Sequence, residues 1–121
     1  MNSLTFSYNW NNKLNCSYFT TLRLSGRFQV GEWVLVYDKN KNLGRHRIED
    51  KKRIKIKQLN SWICGLDSGY TVAETIRVLE RMYPNQIKPE TEIYLYLVRK
   101  PVKEEQKQFE QEEAGRQTSI V

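Results

Sequence analysis

Apolar Leu4, Phe6 and Tyr8 alternate with polar Thr5, Ser7 and Asn9, the two-residue period of a half-buried strand. Residues 9–12, Asn-Trp-Asn-Asn, read as the turn that ends it. Residues 18–24 and 32–38 predict a second and a third strand, joined as a hairpin through a polar turn and the Val30-Gly31 step. The β-branched and aromatic content of residues 32–38 is that of a sheet strand. After a turn over Lys39–Gly44, two further strands are expected near residues 45–49 and 52–57. In the latter, Ile54 and Ile56 face in while Arg53, Lys55 and Lys57 face out.

The period then changes from two to about 3.6. Leu59, Trp62, Ile63 and Leu66 fall on one stripe, which predicts a short helix over residues 58–65 that Asp67-Ser68-Gly69 ends. Thr71 and Glu74 have capping-box spacing, and Val72, Ile76, Leu79 and Tyr83 supply the buried stripe of a second helix that Pro84 and Asn85 stop. Residues 92–99 are apolar on both strand faces, as in a central strand covered on each side. The expected fold class is therefore α+β, a small β-barrel of five or six strands with two inserted helices over residues 1–100. Residues 101–121 are rich in Glu, Gln and Lys. They read as a disordered tail or a frayed solvent helix near residues 103–114, without chemistry of its own.

Charge sharpens this picture. The 121-residue chain carries a formal net charge of +6, unevenly spread. Residues 13–57 hold twelve Lys or Arg against four acids, and the rest of the chain is close to neutral. A basic first half is the footprint of a polyanion or nucleotide partner, and equally of a solvated lysine-rich surface. Lys51, Lys52, Arg53, Lys55 and Lys57 form the densest basic run. Its same-side cations recur every ~6.6 Å, a spacing that can follow a phosphate chain.

The sequence has no apolar run of membrane-spanning length and no charged-then-apolar leader, so a cytoplasmic monomer without a membrane partner is expected. Cys16 and Cys64 are outside any zinc-type spacing and are expected to be buried or half-buried thiols, and no metal or cofactor is expected. The lone His46 has an arginine on each side and reads as exposed.

Candidate chemistry concentrates on the second strand. Thr21 and Arg23 are two residues apart and point the same way, setting a hydroxyl beside a guanidinium, which suits an anionic or hydrogen-bonding ligand. Threonine is also a good strand former, and an arginine can simply face water. Tyr18, Trp10 and Phe19 offer aromatic faces for stacking a base, or core side chains. Glu74 is either a ligand-facing carboxylate or only a helix cap.

The succession of Phe19-Thr20-Thr21-Leu22-Arg23, Val30-Gly31-Glu32, Leu43-Gly44, Thr71-Val72-Ala73-Glu74, Met82-Tyr83-Pro84 and Tyr94-Leu95-Tyr96-Leu97-Val98 resembles an ASCH domain of the PUA-like superfamily over about residues 3–99. The resemblance implies a small barrel with helices across one opening, associated with RNA, modified nucleotides or nucleobases. Its layout is most similar to small bacterial ASCH amidohydrolases acting on acetylated cytidine, whose site is a Lys-x-x-Thr-x-Arg strand and a later helical glutamate. Thr21, Arg23 and Glu74 match that pattern. Tyr18 stands where the family has its lysine, and Lys13 is the nearby substitute.

Two functions are thus expected. One is a module binding RNA, single-stranded nucleic acid or a nucleotide, with Tyr18, Thr21, Arg23 and Glu74 around a pocket and the basic run drawing in phosphates. The other is an amidohydrolase with Thr21 as nucleophile and Glu74 moving the proton. A threonine hydroxyl needs a neighbouring base for that, and tyrosine is a poor one near neutral pH.

Overall fold

Five segments pair into one curled mixed sheet: β1 (Ser3–Phe6), β2 (Tyr18–Arg23), β3 (Trp33–Asp38), β4 (Lys41–Lys55) and β5 (Glu92–Arg99), in the order β1-β3-β4-β5-β2. The computed structural model describes residues 1–119, with side chains described over residues 1–114. β1 runs parallel to β3, and every other neighbouring pair is antiparallel. The class is α+β and the sheet is a half-barrel, with β1 and β2 as its two edges. Between those edges two arginines act as donors: Arg23 Nη2 reaches the Thr5 carbonyl and Arg27 Nη2 the Ser3 carbonyl, each at 3.0 Å. The free carbonyls of β1 are thereby satisfied without a sixth strand.

β2 and β3 do not form the expected hairpin. β2 pairs with β5, matching Leu22 to Leu95 and Thr20 to Leu97. Residues 24–32 instead cross the sheet, fastened by Tyr96 Oη to the Ser25 carbonyl at 2.7 Å, Lys51 Nζ to the Gly26 carbonyl at 2.6 Å and Gly31 N to the Ile48 carbonyl at 2.7 Å. The two strands expected after Gly44 are one long strand, β4, which shifts register against β5 between Ile48 and Asp50. One extra residue there bends the strand without ending it.

β5 is an inner strand that feeds two cores. Tyr96 and Val98 join Leu4, Phe6, Phe19 and Ile48 in the first, while Ile93 joins Leu22, Ile56, Leu59, Cys64 and Leu79 in the second. Helices cover the second core: α1 (Ser61–Asp67), capped by Asn60 Oδ1 on Ile63 N at 2.9 Å, and α2 (Val72–Met82), opened by the expected Thr71–Glu74 capping box. α2 buries Leu79 fully and Val72 and Ile76 in part, as its stripe predicts. In α1 the stripe is corrected. Trp62 and Leu66 are exposed, because the chain passes through a 3₁₀ turn (Ile56–Gln58) and α1 begins only at Ser61, so Leu59 and Cys64 take the inward positions.

Two further expectations are corrected. His46 is buried, since β4 alternation places it beside Ile48 in the first core, its ring 5.7 Å from that of Phe19. Cys16 is exposed, following the 3₁₀ segment Trp10–Asn15, whereas Cys64 is buried; both are free thiols. The polar tail forms α3 (Lys103–Ser119), which lies on the sheet. Its Phe109 ring sits 5.0 Å from Trp33, and its Glu105 carboxylate binds Arg99 through two bonds of 2.7 and 3.2 Å. No helix among the described residues is long and apolar enough to cross a membrane.

Candidate functional site

Strand alternation in β2 turns Phe19, Thr21 and Arg23 to one side and Thr20 and Leu22 to the other. Thr21 is buried, and its Oγ1 accepts from Arg23 Nε at 3.0 Å. The Arg23 guanidinium lies 4.6 Å over the Phe6 ring. Burial lowers its pKa, against the opposing pull of Tyr83 and Asp67. Thr21 and Arg23 therefore share a site, as their spacing predicts.

Lys13 joins them from the preceding loop. Asn11 and Asn12 adopt left-handed backbone angles, φ 57° and 53°, and Asn9 Oδ1 accepts from Leu14 N at 2.9 Å, so the chain reverses tightly and swings Lys13 inward. Its Nζ donates to Asp67 Oδ1 at 3.0 Å, and Thr20 Oγ1 donates to the same oxygen at 2.9 Å. Burial lowers the Lys13 pKa, the Asp67 carboxylate raises it by charge and hydrogen bond, and Arg23 lowers it further; the net direction is down.

These residues line a cavity of about 50 Å³ under α2, with Phe6, Trp10, Tyr70 and Leu79 among its apolar walls. Thr75 reaches it from α2, and its Oγ1 is buried without a hydrogen-bond partner in good geometry among the described residues. The Cys64 thiol is close enough to Thr75 for that contact to offset part of the rise that burial gives its pKa. Arg23 also forms a wall of a wider cleft of about 520 Å³, shared with Arg27, Ser3, Thr5, Phe28 and Tyr83. Arg27 lies 4.8 Å over the Phe28 ring. Among the described residues neither Arg23 nor Arg27 has a carboxylate within ion-pair distance.

The remaining expected site residues lie elsewhere. Glu74 does not line the cavity. It is exposed, its carboxylate accepts from Thr71 N at 3.2 Å, and that bond lowers its pKa. It stands instead by a surface hollow with Tyr70, Arg77 and Arg81. Tyr18 is half-exposed on the β2 face opposite Thr21, Trp10 lines the cavity and Phe19 is core.

The basic run over residues 51–57 is largely occupied. Lys51 lies 5.2 Å from the Tyr94 ring centre besides its bond to Gly26, and Arg53 is 3.9 Å from Glu92. Lys55 and Lys57 share Glu90, at 2.8 and 2.5 Å, leaving Lys52 exposed with no ion pair among the described residues.

Asp67, Thr75 and Arg27 belong to the site although none of them is among the residues expected there. Asp67 lies four residues after half-buried Ile63 and three after buried Cys64, on the inward side of α1, and an acid on an apolar stripe is the signal that was available. Chemically, Lys13, Arg23 and Arg27 outweigh the single carboxylate of Asp67, so the cavity and cleft together favour an anionic or polar ligand over a cation. Among the described residues, no three His, Cys, Asp or Glu side chains converge as a metal site would need. No family model, no curated protein and no solved structure matches the chain.

Proposed function

We propose that the protein binds a nucleotide, free or exposed in RNA, with its phosphate on Arg23 and Arg27 and its base toward the Thr21 cavity. One observation carries this reading: two guanidiniums are fixed on backbone carbonyls in one cleft, with no carboxylate within ion-pair distance among the described residues. Arginine held rigid in this way is suited to phosphate, which it can grip through two donors at once. The cleft is large enough for a nucleotide. The cavity behind it is small and suits the edge of a base or an acyl group. The ASCH-like order of motifs and the half-barrel sheet support the same reading, with a PUA-like fold as the finer assignment.

Titrating the protein with cytidine 5′-monophosphate and with cytidine, followed by amide shifts, tests the proposal. The nucleotide binds more tightly than the nucleoside, the difference shrinks with added salt, and Arg27→Ala removes it. Equal affinity for both, or no shift at residues 21–28, overturns it.

A hydrolytic second reading rests on Lys13 and Thr21 lining one cavity. Lys13, from a different chain position, would then do the work of the family's strand lysine, and burial already lowers its pKa. Turnover of acetylated cytidine by the wild type, lost in both Thr21→Ala and Lys13→Met, supports it; an inactive wild type removes it.

A further inference from the structure

On the sheet face turned away from the first core, one cross-strand row holds Trp33, Arg47, Arg99 and Tyr18, because Trp33 pairs with Arg47, Arg47 with Arg99 and Arg99 with Tyr18. Directly paired residues share a face. At ~4.8 Å per strand the row spans ~14 Å, with an aromatic ring at each end and two guanidiniums between. Arg45 adds a third cation beside Trp33, two residues from Arg47 on β4.

α3 lies over part of this row. It presents Glu105, Phe109 and Glu112, which fall on one helical face at spacings of four and three. Glu105 holds Arg99, Phe109 packs edge-on against Trp33 and under the Arg45 guanidinium at 4.4 Å, and Glu112 holds Arg45 at 3.3 Å. The helix thus offers an anion, a ring and an anion to a surface of cation, ring and cation. Its grip is uneven: the Arg99–Glu105 pair is doubly bonded and mostly buried, whereas the Arg45–Glu112 pair leaves Glu112 half-exposed, and Phe109 is the helix's one aromatic contact with the sheet among the described residues. Exposed ion pairs hold weakly. Tyr18 and Arg47 stay accessible at the uncovered part of the row, where the Glu49 carboxylate lies 3.9 Å from Arg47 and 3.1 Å from Arg99 and shares its charge between them.

We propose that this face binds single-stranded nucleic acid and that α3 covers it in the free protein. Bases stack on Trp33 and Tyr18, phosphates take the arginines, and the incoming strand displaces the carboxylates and ring that mimic it. The face is separate from the Arg23 cavity, so neither proposal depends on the other.

The test is fluorescence anisotropy of a labelled twelve-nucleotide oligo-dT with the full chain and with full-length Phe109→Ala/Glu105→Gln. The wild type binds weakly and the double variant at least tenfold tighter. Adding Arg47→Gln or Tyr18→Ala, both accessible positions that leave the cores untouched, returns the affinity toward wild type. Arg47→Gln also lowers the slope of log affinity against log salt by about one. The Trp33 indole NMR signal reports whether α3 has left the sheet, and circular dichroism whether the domain is folded. If the double variant does not fold, Glu105→Gln/Glu112→Gln takes its place. A released helix with no gain in affinity overturns the proposal, as does a gain that survives both Arg47→Gln and Tyr18→Ala. So does a face that captures an acidic helical peptide of residues 103–114 but not the oligonucleotide.

Discussion

Lys13 Nζ lies 3.0 Å from Asp67 Oδ1, an ion pair that joins residues 54 apart in sequence and is about nine-tenths buried on both sides. It ties the loop before β2 to the end of α1, and Thr20 adds a second bond to the same carboxylate oxygen. Breaking such a pair from one side strands a charge in a poorly solvated place. Asp67→Ala is therefore expected to destabilise the domain by ~3–5 kcal/mol, whereas Lys13→Met/Asp67→Leu recovers most of that loss. Urea denaturation of the two variants beside the wild type measures it, and an Asp67→Ala protein within ~0.5 kcal/mol of wild type contradicts it.

This pair also marks where the sequence stops being legible. Elements with strong local signals are found where periodicity puts them: β5 with two apolar faces, the Thr71–Glu74 cap, and Thr21 beside Arg23. What local pattern does not encode is which strand pairs with which. The apparent hairpin of residues 18–38 comes apart because β5, far along the chain, offers β2 a better-matched partner. Asp67 looks like a helix end until Lys13 is seen to meet it. His46 looks exposed among arginines because alternation on β4 sends its neighbours outward and the imidazole in.

Gly26 is fixed by sterics. A Cβ there would meet the Tyr94 ring carbons at 2.5–2.8 Å, and the Gly26 carbonyl already accepts from Lys51. The ring is pinned between Tyr96 and the Lys51 ammonium and has little room to yield. Gly26→Ala is expected to cost ~1–3 kcal/mol. Gly65 in α1 is the control: a methyl group added there would meet nothing within 4 Å, so Gly65→Ala is expected to stabilise by ~0.5–1 kcal/mol. Thermal unfolding of both shows opposite signs, and a shift in the same direction refutes the steric argument.

Glu105 gives α3 a defined acid limit. Its two bonds to Arg99, helped by Val102 N, pull its pKa down to about 2. A carboxylate with a depressed folded-state value binds its proton later than in the undocked helix. Its contribution is complete above the ordinary glutamate value near ~4.3 and is lost as pH falls from there through about 2. The Trp33 indole signal, read against Phe109, should hold its docked position at pH 5 and move below pH ~4. In Glu105→Gln it should already be shifted at pH 7, and an unchanged spectrum in that variant contradicts this role.

His46 sets a second pH limit, nearer neutrality and inside the core. Its Nδ1 donates to the Gly44 carbonyl at 3.1 Å, its Nε2 is buried with no hydrogen-bond partner among the described residues, and the Phe19 ring packs beside it. Burial lowers its pKa, the Gly44 carbonyl pulls the other way, and Lys100 lowers it further. The unfolded chain therefore takes up the proton first as pH falls through ~6.5, and the folded state loses stability from there down to its own lower value. The loss cannot exceed ~1.4 kcal/mol per pH unit for one proton. Unfolding free energies between pH 7.5 and 5 should fall in the wild type and stay flatter in His46→Phe, which keeps a ring in the cavity without a titrating nitrogen. Equal pH slopes in the two proteins would show that the imidazole reaches water and is not the group that limits folding on the acid side.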